Sequence, residues 1–310
     1  MIEDEKNIPP VSDPDKKPVH SPDSSRVTED SDLAAPVAKG GKKTETKKTK
    51  GEGEGIISAV LWAAVIALIV RSLLFEPFSI PSGSMFPTLK IGDYLFVQKY
   101  AYGYSKYSFP LALIDFEGRV MESYPERGDI VVFRKPQQET IDYIKRVIGL
   151  PGDEIQMTAG KLYINDERVP RDFVGIETIK EGSVRQAYQK YIESLPDGPD
   201  HYIYEISDNE ALDATPKFVI PDGYFFAMGD NRDASLDSRA VNSVGFVPVE
   251  NLIGRASFFF FSMEPIGPVC HKTGTLASVR RVGCKLVKIP THIRYSRIFR
   301  PVQNMMHEEK

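Results

Sequence analysis

Two serines lie between prolines in the short segment PSGSMFPTL, residues 81–89. Its glycine has no Cβ and permits unusual backbone angles, so the segment can form a tight turn with an exposed hydroxyl. A serine nucleophile needs such a placement, with N–H donors nearby for an oxyanion. Clusters of Ser, Gly and Pro are also common in plain loops, so this segment alone leaves both interpretations open.

A reactive serine also needs a base. The five histidines of the chain do not form a compact motif, which favours surface positions for them. A lysine is the alternative, because Ser–Lys pairs also activate a hydroxyl. Such a lysine must be neutral, and burial among apolar neighbours lowers its pKa from about 10.4. Lys145 has aliphatic neighbours in YIKRVIG, residues 143–149; the alternative is a lysine on the exposed face of an edge strand.

A third polar segment, GDNRDASLDSR at residues 229–239, follows an apolar run. Asp237 and Arg239 can pair there, and Ser235 can orient a lysine amine through its hydroxyl. A solvated loop is the alternative interpretation.

Together these segments resemble bacterial type I signal peptidases (leader peptidases), the membrane-anchored Ser–Lys proteases of family S26 that cut signal peptides from exported proteins. The resemblance runs from about residue 80 to 261 and also covers residues 293–299. Its blocks stand in the family's order and read PSGSMFPTLKIGD, RGDIVVF, YIKRVIGLPGD and GDNRDASLDSR. Strings of this length are specific to the family.

The resemblance implies a role for each matched residue. Ser84 is the nucleophile and Lys145 is the general base. Ser82 supplies a hydroxyl to the oxyanion hole beside the Ser84 N–H, and Ser235 orients the lysine amine. The remaining supporting residues are Asp237 and Arg239 as a salt bridge, with Asp230, Arg232, Arg146 and Tyr143.

The resemblance also implies a substrate bound as an extended strand, with small pockets that accept Ala at two positions. Strand addition supplies affinity in such a complex, and the pockets supply specificity. The expected walls of the substrate site are Phe78, Ile80, Pro81, Met85 and Ile144.

The elements that must position these residues begin with a predicted transmembrane helix at residues 55–75, which carries a single charge, Arg71. A helix of that length rises about 30 Å, the thickness of the hydrocarbon core of a bilayer. Lysines cluster just before the helix, and the next basic residue after it is Lys90. The positive-inside rule therefore places residues 1–54 in the cytoplasm and the rest outside. Residues 1–54 contain no aromatic residue, and we expect them to be disordered.

The predicted fold is mostly β: one transmembrane helix, then an all-β catalytic domain like that of signal peptidases and LexA, with a smaller β insertion. Residues 76–165 and 217–263 are assigned to the catalytic domain and 166–216 to a peripheral insertion, polar and irregular from residue 173. An extra excursion at 264–292 and a final strand with a tail at 293–310 complete the chain. Expected strands are 129–133, 154–158 paired with 161–164, 218–220 paired with 224–228, and 253–263.

The amino-acid composition argues against several classes of protein. The net charge of −4 lacks the basic excess of a nucleic-acid-binding protein. Cys270 and Cys284 are too few for a disulfide scaffold or a four-cysteine zinc site, and outside the membrane we expect them to form a disulfide. Neither a metal nor a cofactor is predicted.

The predicted function is removal of signal peptides from exported preproteins, at the periplasmic face of a bacterial inner membrane. The partners would be signal peptides and the lipid bilayer, with the export translocase as a candidate. Two alternatives stay open: a self-cleaving LexA-type repressor, which would need a DNA-binding domain and no membrane span, and a non-catalytic membrane-anchored β module. The aromatic residues of 100–109 and 258–261 belong either to the core or to a surface in contact with lipid.

Overall fold

The computed structural model describes residues 52–109, 116–181, 184–265 and 290–303. The predicted tail up to residue 51 lies outside the described residues. So do Cys270 and Cys284, with the disulfide expected between them.

A single long helix, α1 (Glu52–Leu73), opens the described chain. Its segment Gly55–Leu73 has a mean hydropathy of 2.3, and by length and composition this segment could cross a membrane. The apolar side chains occur all round the helix, and Trp62 for example is 66% exposed. This helix confirms the predicted N-terminal apolar helix, which ends two residues earlier than expected.

The rest of the described chain is mostly β, as predicted. Its strands are β1 (Phe75–Ser79), β2 (Asp93–Gln98), β3 (Ile130–Lys135), β4 (Gln138–Gly149), β5 (Glu154–Thr158), β6 (Lys161–Ile164), β7 (Glu167–Arg168), β8 (Arg171–Glu181), β9 (Val184–Ser194), β10 (Asp200–Glu205), β11 (Phe218–Val219), β12 (Tyr224–Met228), β13 (Val247–Pro248) and β14 (Leu252–Ser262).

Three sheets contain these strands. A seven-stranded sheet has the order β1-β2-β14-β3-β4-β12-β13, a four-stranded sheet the order β11-β5-β6-β7, and a three-stranded sheet the order β10-β9-β8. Neighbouring strands are antiparallel throughout these sheets.

The centre of the seven-stranded sheet is buried on both faces. In β3, Ile130 and Val132 contribute to one apolar cluster, while Val131 and Phe133 contribute to another. Successive side chains of a strand point to opposite faces, so a strand covered on both sides needs a continuous apolar run. This packing explains the apolar run IVVF at residues 130–133.

The aromatic residues divide between core and surface. Tyr102 and Phe259 are buried, whereas Tyr100 is 47% exposed. Phe96 and Phe258 are half-buried and their rings contact each other, with centroids 5.2 Å apart. Core packing is therefore confirmed for the buried members, and contact of the exposed members with lipid stays a prediction.

Three details of the predicted topology are wrong. Residues 218–220 and 224–228 do not form a hairpin, because β11 pairs with β5 and β12 pairs with β4. Residues 293–303 make isolated bridges in place of a final strand, because a 3-10 turn at Tyr295–Arg297 points Arg297 inward to Asp93. The region from residue 173 is not irregular: β8, β9 and β10 form a sheet whose polar outer residues hide its strand pattern.

Candidate active site

Ser84 lies in the loop between β1 and β2, and a neighbouring loop fixes its backbone. The side-chain amide of Asn231 donates to the Gly83 carbonyl at 3.0 Å, and the Asn231 backbone N–H donates to the Ser84 carbonyl at 3.1 Å. Two successive carbonyls of the serine turn are thereby held by one residue of the 229–239 segment. Asn231 was not singled out from the sequence, where the only clue was its place in that block.

Lys145 lies on β4, opposite Val131 of β3, and is 4% exposed. Its Nζ lies 2.5 Å from Ser84 Oγ and 5.5 Å from the centre of the Tyr143 ring. Burial lowers the pKa of Lys145 to about 8, against the opposing effect of the Asp237 and Asp230 carboxylates. At pH 8 about half of such amines are neutral and able to accept a proton.

Ser82 lies two residues before Ser84, and the two hydroxyl oxygens are 3.5 Å apart. The backbone N–H of Ser84 makes no hydrogen bond within the described part of the chain. An oxyanion site needs hydrogen-bond donors beside the nucleophile, and the Ser84 N–H and the nearby Ser82 hydroxyl are the candidate donors here.

Ser235 is 5% exposed, and its hydroxyl has no hydrogen-bond partner among the described residues. It therefore makes no hydrogen bond to Lys145 here, although it is buried in the same region. A Cβ on Gly229 would lie 2.2 Å from Ser235 Oγ and 2.5 Å from the Ser84 carbonyl oxygen. Gly229 thus permits the close approach of the two loops, a requirement that the sequence analysis did not identify.

Asp237 and Arg239 form the predicted ion pair, and both side chains are fully buried. Arg239 Nε lies 2.9 Å from Asp237 Oδ1, and its Nη2 lies 2.9 Å from Asp237 Oδ2. Asp237 also accepts the Gly229 N–H at 3.0 Å. The pair and the bond to Gly229 therefore connect the two ends of the 229–239 loop, close to Lys145.

Asp230 and Arg146 form a second buried ion pair. Arg146 Nε and Nη2 donate to the two carboxylate oxygens at 2.8 and 2.7 Å, and Thr88 Oγ1 donates to Asp230 Oδ2. Because Arg146 follows Lys145 on β4, the pair also fixes the strand that carries the lysine. Thr88 extends the network to the loop that carries Ser84.

Arg232 connects the site to the insertion. It pairs through both terminal nitrogens with Glu193 of β9, and both side chains are 1% exposed. Next to this pair, the Tyr204 N–H of β10 donates to the Asp230 carbonyl at 2.8 Å. The insertion therefore supports the 229–239 loop, and the sequence alone did not reveal Glu193 as its anchor.

A cleft of about 710 Å³ opens beside Ser84 and Lys145, between β1 and β4; we call it the β1–β4 cleft. Four of the five residues expected to line the substrate site lie in its wall: Phe78, Ile80, Pro81 and Ile144. Met85 does not line it, because its side chain points into the apolar core and is 1% exposed. Leu236, half exposed, contributes to the wall beside Ser84 and was not expected there.

Within the described residues, no group of three or more His, Cys, Asp or Glu side chains is placed to hold a metal ion. The side chains of Ser84 and Lys145 bring a hydroxyl and an amine of lowered pKa together in the cleft. A β domain that carries these parts beside an open cleft has the components of a serine peptidase.

Comparison with known proteins identifies the family. Residues 54–261 match the family described as signal peptidase, peptidase S26. The chain belongs to this family, and the resemblance seen in the sequence is confirmed. The protein is therefore a peptidase that acts in signal peptide processing.

Curated relatives extend over most of the chain. Signal peptidase I of Rickettsia typhi is 40% identical over 272 residues, 84% of this chain and 97% of that protein. Signal peptidase I of Rickettsia canadensis is 43% identical over 232 residues, 72% of this chain and 84% of that protein. A solved signal peptidase I from Enterococcus faecalis V583 is 25% identical and covers 43% of this chain and 97% of its own, with a TM-score of 0.25, too low to support an argument.

Proposed function

We propose that the protein removes signal peptides from exported preproteins with Ser84 as nucleophile and neutral Lys145 as general base. The observation that carries the proposal is the 2.5 Å contact between Lys145 Nζ and Ser84 Oγ, made by an amine that is 4% exposed. A nucleophile and base within hydrogen-bond reach are the diagnostic geometry of such a dyad.

The reaction follows from this contact. Lys145 accepts the Ser84 proton while the serine oxygen attacks the scissile carbonyl, and the charged amine then returns the proton to the leaving amine. Water attacks the resulting ester, with Lys145 again as base, and releases the signal peptide. The Ser84 N–H and the Ser82 hydroxyl donate to the oxyanion that forms in each half of the reaction.

The substrate binds in the β1–β4 cleft as an extended strand. β1 is the outermost strand of its sheet, and β4 pairs with β12 through Arg146–Gly149, so the segment 138–145 has one free edge among the described residues. Free backbone groups on both sides of a cleft suit the addition of a peptide strand. Ile144 and Phe78 supply apolar walls, consistent with a preference for small residues next to the scissile bond.

The bilayer is the second partner. Helix α1 exposes apolar side chains on all sides, which is costly in water and favourable in lipid. Ser84 follows the end of α1 by 11 residues, so the site stays close to the membrane surface. The lysines before the helix orient the N-terminus to the cytoplasm, and the catalytic domain then lies on the periplasmic face of the inner membrane, near the export translocase.

Cleavage of a purified preprotein by the full chain in detergent tests the proposal. Wild type, Ser84→Ala and Lys145→Ala are compared, with Lys217→Ala as a matched control, because Lys217 is a partly exposed lysine that pairs with the surface carboxylates of Glu154 and Asp166. We expect cutting after a small-x-small site by wild type and control, read from the new N-terminus, and none by the two dyad variants. Activity in either dyad variant contradicts the dyad, and no cutting by wild type favours the non-catalytic β module.

A further inference from the structure

A second pocket, of about 510 Å³, lies on the other side of β4 from the β1–β4 cleft. Arg146 lines it, whereas its neighbour Lys145 lines the cleft, as expected for successive residues of a strand. The 80–92 loop, β10 and residues 294–303 form the remaining walls, and their charged residues are Lys90, Asp200, Arg294, Arg297 and Arg300. We call it the basic pocket.

The basic pocket contains more positive charge than its carboxylates balance. Lys90, Arg294 and Arg297 surround a single buried carboxylate, Asp93. Arg297 Nη2 lies 2.6 Å from Asp93 Oδ2, and Arg294 Nη2 lies 3.4 Å from Asp93 Oδ1. Lys90 Nζ forms no hydrogen bond or salt bridge with any described residue, so its charge is unpaired there.

Repulsion among these cations adds to the effect of burial on the pKa values of Lys90 and Arg294. Burial, together with Arg297 and Arg294, lowers the pKa of Lys90 against the opposing effects of Asp93 and of the weaker Glu177. Burial also lowers the pKa of Arg294, with Asp93 opposing and Arg297 adding to the shift. A bound anion would relieve this repulsion.

The cationic groups are also held in place before any ligand arrives. Arg294 Nη2 donates to the Ile91 and Met263 carbonyls at 2.6 and 3.1 Å, and Arg297 Nη2 donates to the Thr88 carbonyl at 2.8 Å. The Nη1 groups of both arginines donate to no acceptor in the described chain. Preorganised donors reduce the entropy that binding costs.

We propose that the basic pocket binds a phosphate group. Guanidinium nitrogens in a planar fork and an ammonium group match the tetrahedral oxygens of phosphate, and charge-assisted hydrogen bonds of this kind are strong. The pocket exceeds the size of a phosphate ion, so it admits a substituent. Inorganic phosphate and the headgroup of an anionic phospholipid present the same chemistry to it.

Calorimetric titration of the full chain in uncharged detergent tests the proposal. Sodium phosphate is titrated at an ionic strength matched with sodium chloride into wild type, Lys90→Gln and Lys180→Gln. Lys180 is an exposed lysine of β8 outside the basic pocket and controls for the loss of one charge. We expect saturable binding to wild type and control, and about tenfold weaker binding to Lys90→Gln, the loss of roughly one charge-assisted hydrogen bond.

Thermal unfolding in phosphate-free buffer separates a ligand role from a structural one. Because Lys90→Gln removes a repelled charge, we expect its melting temperature to equal or exceed that of wild type. A lower melting temperature with unchanged phosphate affinity would assign Lys90 to folding and overturn the proposal. Absence of saturable phosphate binding to wild type overturns it as well.

A second titration distinguishes the two sources of phosphate. Dihexanoyl phosphatidic acid is compared with inorganic phosphate, and dihexanoylglycerol controls for the acyl chains. Binding of the lipid that depends on Lys90 and is tighter than that of inorganic phosphate supports a phospholipid headgroup as the ligand. Equal affinity for both supports a soluble phosphate.

Discussion

Catalysis should depend on pH through Lys145, because only a neutral amine can accept the Ser84 proton. Burial lowers the pKa of this lysine to about 8, and the Asp237 and Asp230 carboxylates limit the shift. Raising the pH from 7 to 9 at constant ionic strength therefore converts the Lys145 amine from mostly charged to mostly neutral. No substitution is needed, so the native packing of the site stays intact.

The size of the effect follows from the titration of one group. With a pKa of about 8, roughly one amine in eleven is neutral at pH 7 and roughly ten in eleven at pH 9, so the rate should rise about tenfold and level off near pH 9. An ordinary exposed lysine, with a pKa of about 10.4, would be neutral in about 0.04% of molecules at pH 7 and about 4% at pH 9. The rate would then rise about a hundredfold and continue to rise.

The measurement is kcat/KM for a peptide with a small-x-small site and no group that titrates in this range, because this ratio reports the free enzyme. Circular dichroism at each pH controls for unfolding, and Lys217→Ala controls for surface charge. A hundredfold rise without a plateau would show that Lys145 is not held in an apolar environment. A profile that is flat from pH 7 to 9 would contradict a base that titrates near pH 8.

Three substitutions test other parts of the site. Ser82→Ala should lower kcat by about 10²–10³-fold with little change in KM, the typical loss of one oxyanion donor, and steady-state kinetics close to wild type would contradict that role. Gly229→Ala should lower kcat by about 10²-fold in a folded protein, because the new Cβ would lie 2.5 Å from the Ser84 carbonyl oxygen and would displace the nucleophile. Unchanged kinetics would show that the loops of Ser84 and Gly229 can move apart. Lys145→Met should abolish cleavage. It should also raise the free energy of unfolding by up to about 3 kcal/mol at pH 7, because burial disfavours the charged amine that the substitution removes. In urea denaturation this gain in stability should shrink from pH 8 toward pH 10.5, and a variant less stable than wild type at pH 7 would contradict the burial of a charged amine.

Local patterns predicted much of the β structure, whereas the candidate pair Ser84 and Lys145 came from the resemblance to a family. The strand pair 154–158 and 161–164 occurs with the predicted bounds, because it depends on a tight turn at Ala159-Gly160 and on alternation within a few residues. The proximity of Ser84 and Lys145 could be expected only through the resemblance to a family, since 61 positions separate them and spacing alone left a loop serine and an edge lysine as alternatives.

Contacts between segments that are far apart along the chain could not be predicted from the sequence. Glu193 lies in a region that appears polar and irregular, yet it anchors Arg232 of the catalytic loop from β9. The apparent hairpin at 218–228 had the correct turn residues, but its first strand pairs with β5 in another sheet. In both cases pairing between distant segments decides the structure, and local sequence patterns do not show it. Met85 shows the same limit, because only the packing of the loop decides which side chains point into the cleft and which into the core.

The two buried ion pairs behind the dyad explain how a lysine can be neutral next to two carboxylates. Burial opposes ionisation of Asp230 and Asp237, but Arg146 and Arg239 hold the pKa of both carboxyls below the usual range, so both stay charged. Each carboxylate attracts the proton of Lys145, and each is compensated by its own arginine a few ångströms away. An unpaired carboxylate at the same position would raise the pKa of the lysine and remove the base at neutral pH. Under the proposed mechanism Arg146 and Arg239 are positioning residues, which neutralise the carboxylates beside Lys145 without contact with the substrate.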